Sequence, residues 1–434
     1  MALTRERKRG SENSSSDVPH KVLSHCNDRR CRRTWGRRER RFAEDRSILK
    51  AFVFCSHAMP LLEAALRTVW GALCPARYTT LAALGECQAG GPLLLQSLST
   101  DIYQNLALED WLHEYVQTWG GQALLLWRNG PAVVIGRHQN PWRECNLKLM
   151  RERGVQLSRR RSGGGTVYHD LGNINLTFFT SRQGYDRRGN LELLISALKG
   201  IRPHLDVMAT DRHDLLLNRA FKISGTASKI GRTSAYHHCT LLCNSDRSTL
   251  SSVLQSPHQG LKTNATPSTP ARVKNLCEED PTLTCDVLME AIAAEYAKRH
   301  GLRGQIMLID PRDDLLLPGI GKFTQELKSW EWTYGRTPKF SISHLFSLHH
   351  DVNEEEVKLN MSINHGRIES CSIEVFSEWL PSTMCDQLAS DLIGNRFCPT
   401  ETMVLASAHL RICSVDNELH NRWNALCEQV MAIM

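Results

Sequence analysis

Two stretches concentrate side chains that could do chemistry. Phe221 to Leu242, "FKISGTASKIGRTSAYHHCTLL", sets Lys222 beside Ser224-Gly225 and then places His237-His238. Arg159 to Phe179, "RRRSGGGTVYHDLGNINLTFF", runs three arginines into three glycines. Glycine removes side chains where a backbone must approach something closely. The N–H groups of such a turn can face an anion. Arg159, Arg160 and Arg161 can supply charge-assisted contacts to phosphate. The stretch is not a Walker A loop, because no G-K-[ST] follows, and it lacks the G-x-G-x-x-G of a dinucleotide site. Together with Lys222 the pieces suggest an activated acyl phosphate. In an acyl-adenylate, a lysine between the carbonyl and phosphate oxygens stabilises charge on both as an amine attacks. On the residues alone, two other readings of Lys222 stay open. One is a surface lysine with its stem laid on apolar neighbours. The other is a Schiff-base lysine, although nothing nearby suggests a pyridoxal pocket. A bare tight turn is the matching alternative for the glycines.

The flanking sequence must position these residues. "YQNLALEDWLHEYVQ" puts Leu108, Trp111, Leu112 and Tyr115 on one helical face. "QALLLWRNGPAVVIGR" reads as two strands around an Asn-Gly-Pro turn. "GNINLTFFTS" alternates Ile174, Leu176 and Phe178 as a half-buried strand. Asn190 is expected to cap a helix with Leu191, Leu194, Ile195 and Leu198 inward. "HDLLLNRAFKIS" reads as a hairpin with Lys222 on its returning strand, and residues 256–273 as a loop. Thr284 opens a helix ending near Gly301. Leu316 to Gln325, "LLPGIGKFTQ", reads as a linker to a smaller C-terminal α/β unit. Hairpins mixed with helices point to an α+β fold rather than a parallel doubly wound sheet.

Composition sets the bounds. The 434 residues suffice for two domains, and 41% hydrophobic content supports real cores. No run is long enough for a membrane span, so a soluble protein is expected. The net charge of +7 is local: residues 1–50 hold 15 of the 53 basic and 7 of the 46 acidic residues, leaving 38 and 39 elsewhere. A nucleic-acid-binding role for the Arg-rich head is thus one reading, but no aromatic-basic interleaving or zinc module supports it. Fifteen scattered cysteines suit a reducing compartment better than a disulfide framework. In "HHCTLLC", His237, Cys239 and Cys243 would share a strand face. Without paired C-x-x-C spacing, buried inert thiols are the better reading than zinc. Residues 1–58 are polar and patternless, so a basic disordered extension is expected. Residues 59–97, with Leu62, Leu66, Val69, Trp70 and Leu73 at helical spacing, are expected to form a mitochondrial transit segment. Met59 is a plausible alternative start.

Three of these stretches, "RRRSGGGTVYHDLGN", "IGRHQNPWREC" and "FKISGTASKIGRTSAYHHCTLL", together resemble the lipoate–protein ligase family, and "SWEWTYGRTPKFS" resembles the start of its accessory domain. The likeness runs from about residue 98 to the end and is greatest to the animal mitochondrial lipoyltransferases of that family. It implies a mixed-sheet catalytic domain like that of biotin and lipoate protein ligases over 98–315, and an accessory domain over 326–434. It implies lipoyl-AMP as the bound species. Lys222 would be the catalytic lysine. Arg160, Gly165, Thr166, Val167, Tyr168, Arg212, Thr240, Thr269 and Ala271 would complete the pocket. His237-His238 would shape its wall, and no metal site is implied. ATP and Mg²⁺ would be needed only if the chain is a complete ligase. Cys239, where bacterial ligases tend to have glycine, leans toward transfer alone. The implied acceptors are the lipoyl domains of 2-oxoacid dehydrogenase E2 subunits and the glycine cleavage H protein, met by a monomer in the mitochondrial matrix. No general base is identifiable.

Overall fold

The computed structural model describes residues 91–115, 121–258, 260–302, 306–350, 353–376, 379–412 and 417–434. All belong to the unit spanning Arg77–Met434. The expected basic extension, and the transit segment up to residue 90, lie outside the described residues.

Six strands make the central sheet: β1 (Leu93–Ser97), β2 (Ala123–Trp127), β6 (Asn173–Ser181), β10 (Thr226–Ile230), β11 (Ser234–Leu242) and β13 (Met307–Ile309). Their order across the sheet is β10-β11-β6-β2-β1-β13. β1 runs parallel to β2 and β13, while the β2–β6–β11–β10 half is antiparallel. The mixed sheet agrees with the α+β expectation. β1 corrects the expected start of the folded body: Leu93, Leu94 and Leu95 are buried, so 93–97 belong to the sheet and not to a transit segment.

Helices cover both faces. One face packs Ile174, Leu176 and Phe178 against the helices Arg187–Ile201 and Cys285–His300. The other packs Leu125, Trp127 and Phe179 against Ile102–Tyr115 and Ile320–Lys328. Leu108, Trp111 and Leu112 point inward as expected; Tyr115 is exposed and stacks on Trp111. Thr284 caps Cys285–His300 by accepting from the Val287 amide, and Gly301 ends it with φ of 64°. Asp186, not Asn190, caps the helix Arg187–Ile201. Asn190 sits inside that helix, bonded to His237. The expected linker at 316–325 is largely helix: Leu316, Leu317, Ile320 and Leu327 are buried, and Pro318-Gly319 mark its start.

Two small sheets carry the chemistry-bearing segments. β4 (Gln156–Arg159), β3 (Ala132–Ile135) and β5 (Val167–His169) form one; β7 (Val207–Ala209), β8 (Leu215–Leu217) and β9 (Phe221–Ser224) form the other. The "QALLLWRNGPAVVIGR" strands exist, but β2 and β3 enter different sheets. The β8–β9 hairpin forms as expected. Asn218 and Arg219 have φ of 53° and 56°, and the Ala220 amide donates to the Leu217 carbonyl. Two positive-φ residues make the tight turn whose twist matches paired strands, and it sets Lys222 opposite Leu216.

At the C-terminus β14 (Phe340–His350), β15 (Asn353–Asn364) and β16 (Arg367–Val375) form an antiparallel meander. β12 (Leu261–Thr263), inside the expected loop, pairs with β14. Helices Ser382–Leu392, Pro399–Ile412 and Asn417–Ala432 follow. The accessory sheet and the β3–β5 sheet share one core. Its junction is Trp142, 1% exposed, whose ring centre lies 5.2–5.3 Å from those of Tyr334, Phe340 and Phe397. Its Nε1 donates to the Met434 carbonyl at 2.8 Å. Trp142→Ala is expected to cost about 3–5 kcal/mol through cavity formation. Because the core is continuous, urea unfolding followed by circular dichroism should stay a single transition. Two separated transitions would contradict the shared core.

Candidate functional site

The glycine turn is shaped from behind by a buried cation. Arg160 is 4% exposed. Its Nη2 donates to the carbonyls of Gly163 at 2.6 Å and Gly165 at 2.7 Å, its Nη1 to Val134, and its Nε to Ser162 Oγ. Drawing the carbonyls onto the guanidinium leaves the amide edge of the turn for a ligand, as in anion-binding backbone nests. Gly164 has φ of +87°, and a Cβ on Gly136 would stand 2.1 Å from the Gly164 oxygen. Both positions therefore require glycine. Burial lowers the Arg160 guanidinium to about 10, while Tyr236 and Glu109 resist the fall, so it stays charged at neutral pH.

A cavity of about 350 Å³ opens in front of this turn. Gly165, Thr166, Val167, Arg212, Lys222, Thr240 and Thr269 line it together with Arg160. Tyr168 and Ala271 do not. Strand alternation sends Tyr168 into the core shared with the accessory sheet, and Ala271 is exposed. Arg159 and Arg161 also turn away. Arg159 donates to the carbonyls of Gly136, Arg137, Gln139 and Thr333. Arg161 pairs with Asp110 and Glu326 and lies over the Trp332 ring. Of the three arginines expected to meet phosphate only Arg160 lines the cavity, and its donors hold the loop.

Lys222 is a strand residue with its backbone fixed on the outer side. Its amide donates to the Arg272 carbonyl at 2.8 Å and its carbonyl accepts from Lys274. Its Nζ lies 2.9 Å from Asp214 Oδ1. A Cβ on Gly225 would stand in ordinary contact with Lys222, 3.4 Å from Cε and 3.6 Å from Nζ. Thr240 Oγ1 accepts from the Gly225 amide at 3.1 Å. The segment before Lys274 folds over the opening. Ser268 Oγ accepts from the Thr166 amide at 2.9 Å and from Gln139 Nε2 at 3.1 Å, and donates to Glu144. Arg212 Nη2 donates to Thr269 Oγ1 at 3.2 Å. Sequence reading missed Asp214, Gln139, Glu144 and Ser268 as parts of the site. Asp214 carried a signal as a charge at the foot of the hairpin directly before the apolar run Leu215–Leu217, and Gln139 and Glu144 lie within the quoted stretch "IGRHQNPWREC".

The wall is polar and closed. His238 meets Ser162 Oγ at 2.9 Å through Nε2 and Glu109 Oε1 at 2.8 Å through Nδ1. Burial alone would raise the Glu109 carboxyl, but His238, Thr177 and Lys229 together hold it below the usual value. His238 and Cys239 line the cavity. His237 does not; it stacks on Phe178. Phe178, Cys239 and Cys243 belong to one apolar core, in keeping with the expected shared face of His237, Cys239 and Cys243. His169 and Asn175 also line the cavity. Among the described residues, His169 Nε2 and Asn175 Nδ2 are buried without a hydrogen-bond partner.

Burial pushes His169 down to about 3 and His113 to about 4. A lowered folded pKa means that the unfolded chain binds the extra proton first. Stability from each neutral histidine is therefore complete above pH ~6.5 and is lost as pH falls toward the folded value. His169→Gln should flatten the acid limb of a stability–pH profile by about 1.4 kcal/mol per pH unit. An unchanged slope would show that His169 is not held neutral.

Comparison with known proteins places this geometry. Residues 101–297 match the family described as the lipoyl protein ligase A/B catalytic domain. Lipoyl amidotransferase LIPT1, mitochondrial, of Homo sapiens is 58% identical over 342 residues, 79% of this chain and 92% of its own. A putative lipoate-protein ligase A of Schizosaccharomyces pombe is 38% identical over 288 residues, 62% and 77% of the two chains. The solved structure of P. falciparum LipL1 in complex with lipoate superposes with a TM-score of 0.50 at 27% identity, covering 79% of this chain and 99% of that one. With a buried arginine behind a glycine turn and a lysine facing it across the cavity, the chain belongs to the lipoyl protein ligase A/B family.

Proposed function

We propose that this lipoyltransferase moves a lipoyl group from lipoyl-AMP, or from a lipoylated carrier protein, onto a specific lysine of lipoyl domains in 2-oxoacid dehydrogenase E2 subunits or the glycine cleavage H protein. The observation that carries the reading is Lys222. Its side chain, 25% exposed, lines the same cavity as the glycine turn, with Gly225 beside its ammonium. Leu106, Trp127 and Val134 offer an apolar lining for the lipoyl chain. The polar set of Arg212, Lys222, Thr240 and Thr269 suits the adenylate. Lys222 leaves Asp214 to stabilise the acyl carbonyl and phosphate oxygens as the acceptor amine attacks. The segment from Met59 directs import into the mitochondrial matrix, and the mature chain lacks residues 1–58 and much of the segment between Met59 and Leu93.

One assay tests donor and lysine together. Apo lipoyl domain is offered synthetic lipoyl-AMP, or free lipoate with ATP and Mg²⁺, while pyrophosphate is monitored. Robust transfer is expected from the adenylate, and little from lipoate and ATP. Equal rates with stoichiometric pyrophosphate would make the chain a complete ligase. Lys222→Met keeps most of the stem and should lower transfer from lipoyl-AMP by about 10²-fold or more. Near-normal transfer by the folded variant would overturn the assignment. N-terminal sequencing of the protein from isolated mitochondria should find a terminus beyond residue 58 and no later than Leu93; an intact Met1 or Ala2 terminus, or one inside the sheet, would contradict the processing.

A further inference from the structure

Resting on that reading, we propose that Asp214 is the general base of the transfer, receiving the proton that the acceptor lysine must lose. An acceptor lysine with an ordinary pKa near 10.4 is neutral only about one time in 10³ at neutral pH. The attacking nitrogen needs its lone pair, so a site without a base forfeits a factor of that order. Three groups that could take a proton line the cavity: Asp214, His169 and His238. His238 has both ring nitrogens engaged, by Ser162 and Glu109. His169 is held against the Trp127 ring, 6.0 Å between centres, with Nδ1 bonded to Asn129 and Nε2 buried. Asp214 is different. It is the one carboxylate in the lining among the described residues, 22% exposed, and already holds an ammonium, that of Lys222 at 2.9 Å.

Its backbone is fixed independently of Lys222. The Asp214 amide donates to Thr210 Oγ1 at 3.1 Å and its carbonyl accepts from the Thr210 amide at 2.9 Å. His213, at φ of 62°, forms that turn, and its carbonyl accepts from Thr226 Oγ1 at 2.9 Å. Thr226 is held in turn by Arg187 Nη2. Arg212, the other nearby charge, is bonded to Thr269. When Lys222 swings to the acyl-phosphate oxygens, the Asp214 carboxylate stays, beside the acyl carbon and without its cation. The incoming lysine ammonium replaces the departed one. Its proton passes to Asp214, and the freed lone pair forms the N–C bond. The bond from the carbonyl carbon to the phosphate oxygen breaks, and its electron pair leaves with AMP. The second proton on the nitrogen passes to the phosphate of the departing AMP as the amide forms, and Asp214 returns the first to water.

The test compares two nucleophiles on enzyme loaded with lipoyl-AMP. Hydroxylamine is already neutral at neutral pH and needs no base, so it reports Lys222 and the bound adenylate alone. For Asp214→Asn we expect transfer to the apo lipoyl domain to fall by about 10²–10⁴-fold. Formation of lipoyl hydroxamate should change by less than about threefold, and Asp214→Glu should recover part of the transfer. Equal losses in both arms for Asp214→Asn would show that Asp214 only aims Lys222, and would overturn the role. Full transfer by Asp214→Asn would do the same. Should Asp214→Asn not retain lipoyl-AMP, the comparison is read on Asp214→Ser by the same criteria. A wild-type protein that forms hydroxamate but modifies no lipoyl domain would overturn the proposed acceptor first, and this role with it.

Discussion

Two guanidiniums taken out of water govern the site. Arg159 and Arg160 are adjacent, 0% and 4% exposed, and neither has a carboxylate partner among the described residues. Their donors are spent on backbone carbonyls: Arg160 on Val134, Gly163 and Gly165, Arg159 on Gly136, Arg137, Gln139 and Thr333. A buried charge that loses its partners costs about 3–5 kcal/mol. The glycine turn and the Gly136–Gln139 turn therefore hold their shapes while the pair is buried. Pre-set amides need no reorganisation when negative charge arrives, which is where electrostatic catalysis gains most.

Much of this is legible in the sequence because it is local. The hairpin at Asn218-Arg219, the Thr284 cap and the C-terminal strands all rest on neighbours in sequence. The misreadings have a common cause. "GNINLTFFTS" alternates, and alternation suggests one face to core and one to water. Its polar face is instead internal: Thr177 Oγ1 donates to Glu109, Trp127 Nε1 donates to Thr177, and Asn175 lines the cavity. Period two distinguishes apolar from polar, not water from a polar site. Likewise "RRR" announces cations without their directions. On alternating backbone, neighbours diverge, so only Arg160 reaches the cavity while Arg159 and Arg161 serve other surfaces. The same parity separates Val167 from Tyr168.

The helix mistaken for a linker shows a second limit. Ile320, Phe323 and Leu327 have helical spacing, but Pro318-Gly319 dominate the pattern as punctuation. Glycine does break the chain there, at φ of 79°, and the helix starts immediately after it. A break marks an element's edge and says nothing of what lies beyond it. Asp214, Gln139 and Glu144 escape notice for a different reason. Their partners lie 8 to 124 positions away, at Lys222, Thr166 and Ser268, and single-chain spacing carries no such distances.

The accessory sheet is part of the site's mechanics. β12 pairs with β14 through Leu261–Thr263, and five residues later Ser268 bonds to Thr166 on the glycine turn. The strand Phe221–Ser224 receives the end of the same segment at Arg272. One short stretch thus spans the accessory sheet, the glycine turn and the Lys222 strand. Trp142 grips the accessory core two residues before Glu144, which accepts from Ser268. Close-packed interiors transmit displacement rather than absorb it. Movement of the accessory sheet would therefore pull on the covering segment and on Glu144 together. That coupling is the physical reason a unit without cavity-lining side chains is built into the same core as the strands that shape the cavity.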